Sequence, residues 1–311
     1  MTGTRAYALA IVLAVGSSMQ YSASAQSCQG MQIEIGTAEQ RCVRPGTGES
    51  FKDCPDCPEM VAVPAASFMM GAAPDELVAT IPEDRVRVSI ARPFAVGRFA
   101  VTRGEFAAFV AATGHGMEGI CHRLGVPGRN PQLGWQSPGF VQNDRHPVVC
   151  VSWHDAKAYA AWLSSVTGKR YRLLSEAERE FVTRAGTVTA FWWGSTISTG
   201  QANYDGRVSY AGGPTTDLRN STVAVDSFLA NPWGLYNVHG NVWEWTEDCW
   251  SERNAGNPGD GTARSSGDCN LRAVRGASFN NFPHTLRAAR RESEPSENRL
   301  VSFGFRVART F

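Results

Sequence analysis

Residues 231–250 form the one stretch of this chain whose side chains and spacing most directly suggest metal binding. The stretch carries four of the nine tryptophans. Gly234 and Gly240 allow its backbone to turn carbonyl groups inward. Hard cations such as calcium take oxygen ligands of the kind found here. From composition alone, the competing interpretation is an aromatic strand of the core with polar turns. The oxygen-bearing side chains are Asn237, Asn241, Glu244, Glu247 and Asp248.

Residues 1–25 have the pattern of an export signal. Arg5 precedes an apolar run over residues 6–15, and small residues at 23–25 precede Gln26. The run is too short to span a bilayer, and no lipid-anchor pattern precedes Cys28. We predict an exported chain, periplasmic or secreted, with no membrane anchor after cleavage. Loss of Arg5 takes the formal charge from +1 to zero, which offers no electrostatic surface for nucleic acid.

All eight cysteines follow the predicted signal, and an even set in an oxidising compartment predicts disulfides. We predict a Cys249–Cys269 bond that closes a polar loop. We also predict a Cys121–Cys150 bond that ties a long insertion to a strand-like segment at 147–151. The pairing of the other four is not readable from sequence. The Cys-x-x-Cys motif at 54–57 is compatible with a redox pair or half a zinc site, and we interpret it as a structural disulfide. The four cysteines with open connectivity are Cys28, Cys42, Cys54 and Cys57.

The elements that must position these residues divide the chain into a Cys-rich lead-in, residues 26–58, and one domain, residues 59–311. Short apolar or alternating runs predict strands at 60–64, 68–71 and 85–90. Capping boxes predict three helices, which begin after Thr102, Ser152 and Ser175 and end near Gly114, Gly168 and Gly186. From residue 187 onward, the composition favours short strands and long ordered loops.

The second predicted helix has one clear apolar face. Its members are Ala156, Tyr159, Ala160, Leu163 and Val166.

Seven motifs in order resemble the formylglycine-generating enzyme, or sulfatase-modifying factor, family. The resemblance implies an α+β fold, a single mixed α/β domain with little regular secondary structure that is related to the C-type-lectin fold. It also implies two structural calcium sites. The motifs are residues 60–71, 101–106, 146–156, 174–181, 234–245, 274–278 and 304–308.

By that resemblance, each calcium site would combine two side chains with two backbone carbonyls. The first would use the side chains of Asn237 and Glu244 with the carbonyls of Gly240 and Val242. The second would use the side chains of Asn203 and Asp217 with the carbonyls of Tyr204 and Arg219. Calcium would hold loops that have no sheet of their own.

Formylglycine-generating members of the family use a cysteine pair that holds copper, for which thiolates are the preferred ligands. Here Ser278 matches the family's active-site serine, but Asn281 occupies the position of the first cysteine. No cysteine follows Cys269. We therefore predict that the chain binds no copper and does not make formylglycine.

Relatives without the cysteine pair leave several functions open. One is an atypical oxidoreductase or peptide-modifying protein, similar to the family's periplasmic pyoverdine-maturation branch, with an exported protein, peptide or small molecule as its partner. We expect its cleft to contain Ser278, Asn281, His284 and Arg290, beside Trp243, Asn280 and Arg287. His284 would titrate near neutrality, and Arg290 could hold a carboxylate. In the competing interpretation, Arg287 and Arg290 only pair with acids such as Glu292 and Glu294.

Two further functions remain. The sulfoxide-synthase branch uses a three-histidine iron site, but the six histidines show no close ligand spacing, and we expect His154 and His239 to be core or supporting residues. The other is a non-catalytic binding module of the C-type-lectin type, which would present residues 279–299 as its surface. Fold alone cannot choose between these classes.

Overall fold

The computed structural model describes residues 1–3, 28–74, 76–77, 83–117, 119–123 and 133–311. The predicted export signal lies outside the described residues except for its first three positions. Among the helices of the described segments, none is long and apolar enough to cross a membrane.

Short strands outnumber helices along the described chain. In order, the elements are β1 (Met31–Ile35), β2 (Glu39–Val43), β3 (Ser50–Phe51), β4 (Met60–Val63), β5 (Ala66–Met70), β6 (Val86–Ile90), β7 (Phe94–Gly97), α1 (Arg103–Thr113), β8 (Cys121–His122), α2 (Trp153–Thr167), β9 (Arg170–Leu173), α3 (Glu176–Arg184), β10 (Trp243–Trp250), β11 (Asp268–Arg275), a 3₁₀ helix (Pro283–Leu286), β12 (Glu292–Pro295), β13 (Arg299–Leu300), β14 (Phe303–Phe305) and β15 (Val307–Thr310).

Two sheets organise the molecule. The larger has the strand order β3-β4-β7-β15-β9, and all its neighbouring pairs are antiparallel. Its strands β4 and β7 are buried along their whole length, which explains their uninterrupted apolar sequences. The second sheet has the order β12-β11-β10-β14. Because β10 lies between β11 and β14, Glu244 is opposite both Arg275 and Gly304.

The three predicted helices are confirmed, with their caps. In each, the side chain of the N-terminal Ser or Thr accepts a hydrogen bond from the backbone N–H three residues later. The acidic side chain of that later residue accepts a hydrogen bond from the backbone N–H of the Ser or Thr. Gly114 and Gly168 close α1 and α2 in the left-handed conformation, and α3 ends at Ala185. The apolar face predicted for α2 is confirmed for four of its five members. Val166 was wrongly included, since it is 54% exposed.

The main core lies between the larger sheet, α1 and α2. It contains Phe51, Phe106, Tyr159 and Phe305, and Trp245 of β10 joins it. The indole N–H of Trp245 donates to the carbonyl of Val151 at 3.0 Å, so the ring is held in register. The predicted lead-in contributes to the same core through Ile33, Ile35 and Val43 of β1 and β2. The described part of the lead-in, residues 28–58, thus packs onto the domain that follows it.

Four disulfides account for all eight cysteines, and no described cysteine is free. The predicted pairs Cys121–Cys150 and Cys249–Cys269 are confirmed. The pairs left open by the sequence are Cys28–Cys42 and Cys54–Cys57. The strand-like segment expected at 147–151 forms no continuous strand and has only an isolated antiparallel bridge between Pro147 and Thr102. The N–H groups of Val148 and Cys150 donate to the carbonyls of Val101 and Leu300, and Cys150 has a left-handed φ of 62°.

Candidate functional site

A tight turn after β11 holds two of the predicted site residues. Gly276 and Ala277 have positive φ angles, and these reverse the chain so that Ser278 starts a turn. The backbone N–H of Ser278 donates to Oδ1 of Asn281 at 3.0 Å, and the N–H of Asn281 donates to the carbonyl of Ser278 at 3.1 Å. The Ser278 hydroxyl lies 2.6 Å from Oδ1 of Asn281 and 2.7 Å from Oδ1 of Asn280. Sequence reasoning placed Ser278 and Asn281 together correctly.

That geometry assigns the Ser278 hydroxyl to the turn. Ser278 has no exposed surface, and its single hydroxyl proton can donate to either neighbouring amide oxygen. None of the contacts of this hydroxyl is with a histidine or a carboxylate that could act as its base, which a serine nucleophile requires. The side chain of Asn281 is also part of the turn, because its Oδ1 accepts hydrogen bonds from the backbone N–H and the hydroxyl of Ser278. In this structure the pair organises backbone and is not poised for nucleophilic attack.

The turn is tied to the two segments for which calcium ligands were predicted. The N–H of Phe279 donates to the carbonyl of Asn241 at 3.1 Å, and the carbonyl of Asn281 accepts the N–H of Asp205 at 2.9 Å. Asp205 was missed by the sequence reasoning. Its carboxylate is buried and is bound by the exposed Arg207 at 2.7 Å, and the hydrogen bonds from Arg207 hold the pKa of Asp205 below its usual value. Its only sequence signal is its position two residues after Asn203.

His284 and Arg290 follow the turn. His284 lies on the 3₁₀ helix and is half-buried. Burial, with the positive charges of Arg290 and Arg287, lowers its pKa. The direction of this shift favours the neutral form of the ring. Arg290 is buried, and its Nη2 lies 2.6 Å from Oε2 of Glu292. It already holds a carboxylate of its own chain, as the competing interpretation proposed.

Two other residues expected in the cleft are part of the interior. Arg287 is fully buried and bonds Glu76 at 2.6 Å and Glu83 at 2.7 Å, so its pairing is structural and the cleft assignment was wrong. Trp243 is also buried and packs on Phe303, with 6.2 Å between ring centroids. It does not line an open cleft.

The first predicted calcium site matches the geometry in part. Oδ1 of Asn237 is buried and has no hydrogen-bond partner among the described residues. An oxygen of this kind is a suitable ligand for calcium. Asn237, Gly240 and Asn241 all have left-handed φ angles, so the segment turns sharply. Glu244 does not match its assigned role. Its two carboxylate oxygens accept from Arg179 at 2.8 Å and from Arg306 at 3.0 and 3.1 Å.

The electrostatics of Glu244 explain this pairing. Burial alone would raise its pKa, but the guanidinium groups of Arg179 and Arg306 outweigh burial and hold the pKa below its usual value. Two guanidinium groups beside one carboxylate leave a positive environment, which opposes a further divalent cation at the same carboxylate. Of the predicted ligands in this segment, Glu244 is paired with arginine, whereas Asn237 and the backbone carbonyls of Gly240 and Val242 remain those that would hold a cation.

At the second predicted calcium site, one of the four predicted ligands, Asn203, has a side-chain oxygen without a hydrogen-bond partner among the described residues. This oxygen, Oδ1, is likewise buried, although Nδ2 of the same side chain donates to Ser221 and Asn241. Asp217 lies on the surface, where a carboxylate could reach a cation. Tyr204 and Arg219 are assigned through their backbone carbonyls alone, and the Arg219 side chain instead donates to Thr199 at 2.8 Å. Calcium at this site would bind the loop after Asn203 to the loop at 217–219.

Copper and iron have no comparable donor sets here. All eight thiols are in disulfides, so no thiolate pair is present for copper(I). Within the described segments, no three side chains of His, Cys, Asp or Glu converge as metal ligands, which leaves a three-histidine iron site without support. His239 is buried as expected: Nδ1 lies 2.6 Å from the carbonyl of Leu286, and burial lowers its pKa to about 3. His154 is exposed, so its assignment to the core was wrong.

The fold and the site define a mixed α/β domain that is stapled by disulfides and has an oxygen-rich loop region but no thiolate pair. Residues 47–311 match the model of the sulfatase-modifying factor enzyme 1-like domain, so the chain belongs to this family, and the predicted fold class is confirmed. The match begins inside the predicted lead-in.

The relatives include both active and inactive proteins. The chain is 32% identical over 287 residues to the formylglycine-generating enzyme of Thermomonospora curvata, covering 80% of this chain and 92% of that one. It is 29% identical over 287 residues to the inactive C-alpha-formylglycine-generating enzyme 2 of Mus musculus, covering 81% and 85%. Among solved structures, PvdO from Pseudomonas aeruginosa is 40% identical, with a TM-score of 0.76 and coverage of 85% and 99%. Treponema denticola variable protein 1, at 20% identity and a TM-score of 0.62, shares the fold.

Proposed function

We propose that this chain is an exported member of the family that modifies a peptide or a peptide-derived small molecule, as an atypical oxidoreductase or related enzyme, without a copper–thiolate pair. The observation that carries the proposal is the turn at Ser278. Where the formylglycine-generating members would hold copper, the Asn281 side chain closes a hydrogen-bonded turn, and every thiol of the chain is in a disulfide. Oxygen activation by copper(I) has no ligand set in this chain.

The likeness to PvdO supports a role other than formylglycine generation. The 40% identity to PvdO covers 99% of that chain, whereas identity to the formylglycine-generating enzyme of T. curvata is 32%. The sequence resembles the family's pyoverdine-maturation branch, and by that resemblance we expect an exported peptide or small molecule as the substrate. An exported compartment agrees with four disulfides in one chain.

The first experiment separates this proposal from the parent activity. The mature chain, residues 26–311, is incubated with copper, oxygen and a Cys-x-Pro-x-Arg peptide, and the peptide is examined by mass spectrometry for the aldehyde. We expect no conversion, while the T. curvata enzyme under the same conditions provides the positive control. Conversion above the no-protein background would contradict the proposal.

The second experiment looks for the substrate. Exported small molecules and peptides of the producing cell are compared by untargeted mass spectrometry with and without the gene, and purified protein is then added to the extract that lacks it. We expect a precursor to accumulate and to be converted by wild-type protein. Asp205→Asn alters the buried carboxylate of a residue whose backbone N–H donates to Asn281 of the turn, and it should slow the conversion, whereas Asp226→Asn, at an exposed pair with Arg145, should not.

A binding module is the second candidate, and one observation favours it. Ser278 is fully buried, and Arg287 is committed to Glu76 and Glu83, so these two cleft candidates are used by the fold itself. A relative described as inactive, at 29% identity, shows that the domain persists without the parent activity. If the purified protein retains a molecule from the extract and returns it with unchanged mass, the binding function replaces the enzymatic one.

We also propose that calcium supports the loops around Asn203 and Asn237. The support is that Oδ1 of Asn203 and Oδ1 of Asn237, two of the four buried amide oxygens without a hydrogen-bond partner among the described residues, both belong to the predicted ligand sets. A buried acceptor left unsatisfied costs free energy that a cation would recover. Added calcium should raise the melting temperature of chelator-treated protein. Asn203→Ala and Asn237→Ala should each reduce that response, and Asn270→Ala, at an exposed position, serves as the control. An identical response in all four proteins would rule out these ligands.

A further inference from the structure

The outer edge of β5 carries backbone N–H and C=O groups that have no hydrogen-bond partner among the described residues. β5 pairs with β6 alone among the described strands, and Ser67 is opposite Ser89 in the antiparallel register. The N–H of Ser89 donates away from β5, to the carbonyl of Gly259 at 2.8 Å. Ser67 and Ser89 are therefore a non-hydrogen-bonded pair, and the N–H and C=O of Ser67 point away from β6. Because the pattern repeats every second residue, those of Met69 do the same.

Gly71, the next residue in this phase, confirms the direction of that edge. Its N–H donates to Oε1 of Glu180 at 2.9 Å, and its carbonyl accepts from Nη2 of Arg184 at 3.0 Å. Both partners belong to α3. The edge therefore faces α3 and the loop that follows it. At Gly71 the side chains of α3 satisfy the backbone, whereas at Ser67 and Met69 a cavity of about 230 Å³ lies alongside the strand.

The cavity has the chemistry of a peptide groove. Its apolar lining includes Phe68, Phe181 and Trp233. The ring of Phe181 contacts both others, with centroid distances of 5.2 Å to Phe68 and 4.8 Å to Trp233. Val188, on the loop after α3, is 74% exposed, and the exposed Arg85 adds a positive charge to the lining. We define these residues, with the edge of β5, as the β5 groove.

Unprotected edge strands are uncommon, since natural proteins block them with charged residues, proline or a bulge. β5 has the sequence ASFMM, without charge or proline, and Met69 is 39% exposed. An exposed apolar edge beside an aromatic groove therefore points to a partner that adds a strand there.

We propose that the β5 groove binds an extended, acidic peptide segment of a partner protein by strand addition. The backbone of the segment pairs with Ser67 and Met69, an apolar side chain packs on Phe181 and Trp233, and an acidic side chain approaches Arg85. This site shares no residue with the segment from Ser278 to Arg290, so it stands whether or not the chain is an enzyme.

The test uses the full mature chain and a fluorescein-labelled peptide, Thr-Val-Thr-Leu-Thr-Glu, with an amidated carboxyl end. Binding is measured by fluorescence anisotropy. Two analogues carry backbone N-methyl groups, one on Val and Leu and the other on the third and fifth residues. Only alternate N–H groups of an added strand face β5, so one analogue should bind about tenfold more weakly and the other within about threefold of the parent. Equal effects of both analogues, or no binding of the parent up to about 1 mM, would overturn the proposal.

Variants of the protein locate the contact. Ser67→Pro removes one edge N–H without removing a bond to β6 and should weaken binding about tenfold, whereas Ser67→Thr keeps that N–H and should bind normally. If Ser67→Pro fails to fold, Arg85→Glu provides the same test. This variant should weaken binding of the acidic peptide and strengthen binding of a peptide that ends in Lys. Unchanged affinity in Ser67→Pro or in folded Arg85→Glu would contradict the proposal. If sedimentation shows that the wild-type protein is a dimer and the Ser67→Pro variant is not, and the wild-type protein does not bind the peptide, the edge instead pairs with a second copy of this chain.

Discussion

Helix α3 and strand β5 lie next to each other, and for both the hydropathy of the sequence predicts the wrong degree of burial. Every residue of α3 is buried, although its sequence, EAEREFVTR, is dominated by charge. β5 is apolar, yet three of its five residues are exposed. α3 can be buried because its charges meet opposite charges from distant parts of the chain: Glu176 binds Arg291, Arg179 binds Glu244 and Glu180 binds Arg275. The comparison teaches that polar side chains organise the interior here, while an apolar strand remains at the surface for contact.

The largest effect should come from breaking this charged interior. Glu244→Gln leaves Arg179 and Arg306 buried beside a neutral amide, and loss of one partner of a buried pair costs about 3–5 kcal/mol. Urea unfolding of the disulfide-intact protein measures the free energy. Glu49→Gln, which alters an exposed pair with Arg44, is the matched control and should be unchanged. A loss below about 1 kcal/mol for Glu244→Gln would show that the interior does not depend on these pairs.

A pH-dependent effect should follow from His239. The folded state keeps this ring neutral, with a pKa lowered to about 3 by burial, whereas the unfolded chain takes up a proton near pH 6.5. The unfolded state therefore binds more protons at acidic pH, and the contribution of His239 to stability falls as pH decreases from about 6.5 toward 3. His239→Gln should lack this part of the pH dependence.

Urea unfolding of wild type and His239→Gln at several pH values between 4 and 7.5 measures this contribution as the difference between the two proteins. The reference variant is His154→Gln, because His154 is exposed and should follow the wild-type curve. Parallel curves for wild type and His239→Gln would contradict the assignment of a buried neutral ring.

A smaller effect is expected at the turn. Ser278→Ala removes a hydroxyl that reaches Asn280 and Asn281 and should cost about 1–2 kcal/mol, a typical value for a buried hydrogen bond with one partner removed. Because the hydroxyl has a structural role, any conversion found in the substrate search should persist in folded Ser278→Ala. Normal stability with complete loss of conversion would identify Ser278 as a catalytic residue.

The smallest effect should come from β5. Met69→Thr replaces a partly exposed apolar side chain with a β-branched polar one and should change the unfolding free energy by no more than about 0.5 kcal/mol. Destabilisation comparable to that of Glu244→Gln would show that β5 belongs to the core and would remove the contrast with α3.

Much of the local structure could be predicted from the sequence. The helices that begin after Thr102, Ser152 and Ser175 are encoded by hydrogen bonds between residues three apart, so a short window contains both partners. The bonds Cys121–Cys150 and Cys249–Cys269 were predictable because each pair is well separated along the chain from the other cysteines, whereas the four of the lead-in are clustered. The family was recognisable from motifs in order.

Only the tertiary structure decided which charged groups serve the fold. Arg287 is separated from Glu83 and Glu76 by 204 and 211 positions, so no local pattern indicates that it is buried and paired. Glu244 looked like a calcium ligand because its segment is rich in oxygen, and the register that brings it to Arg306 is set by the neighbouring strand β14. A charged side chain can be buried only when an opposite charge lies beside it. In this protein, tertiary packing between segments far apart in sequence places these opposite charges together, and the same packing leaves the edge of β5 unpaired among the described strands.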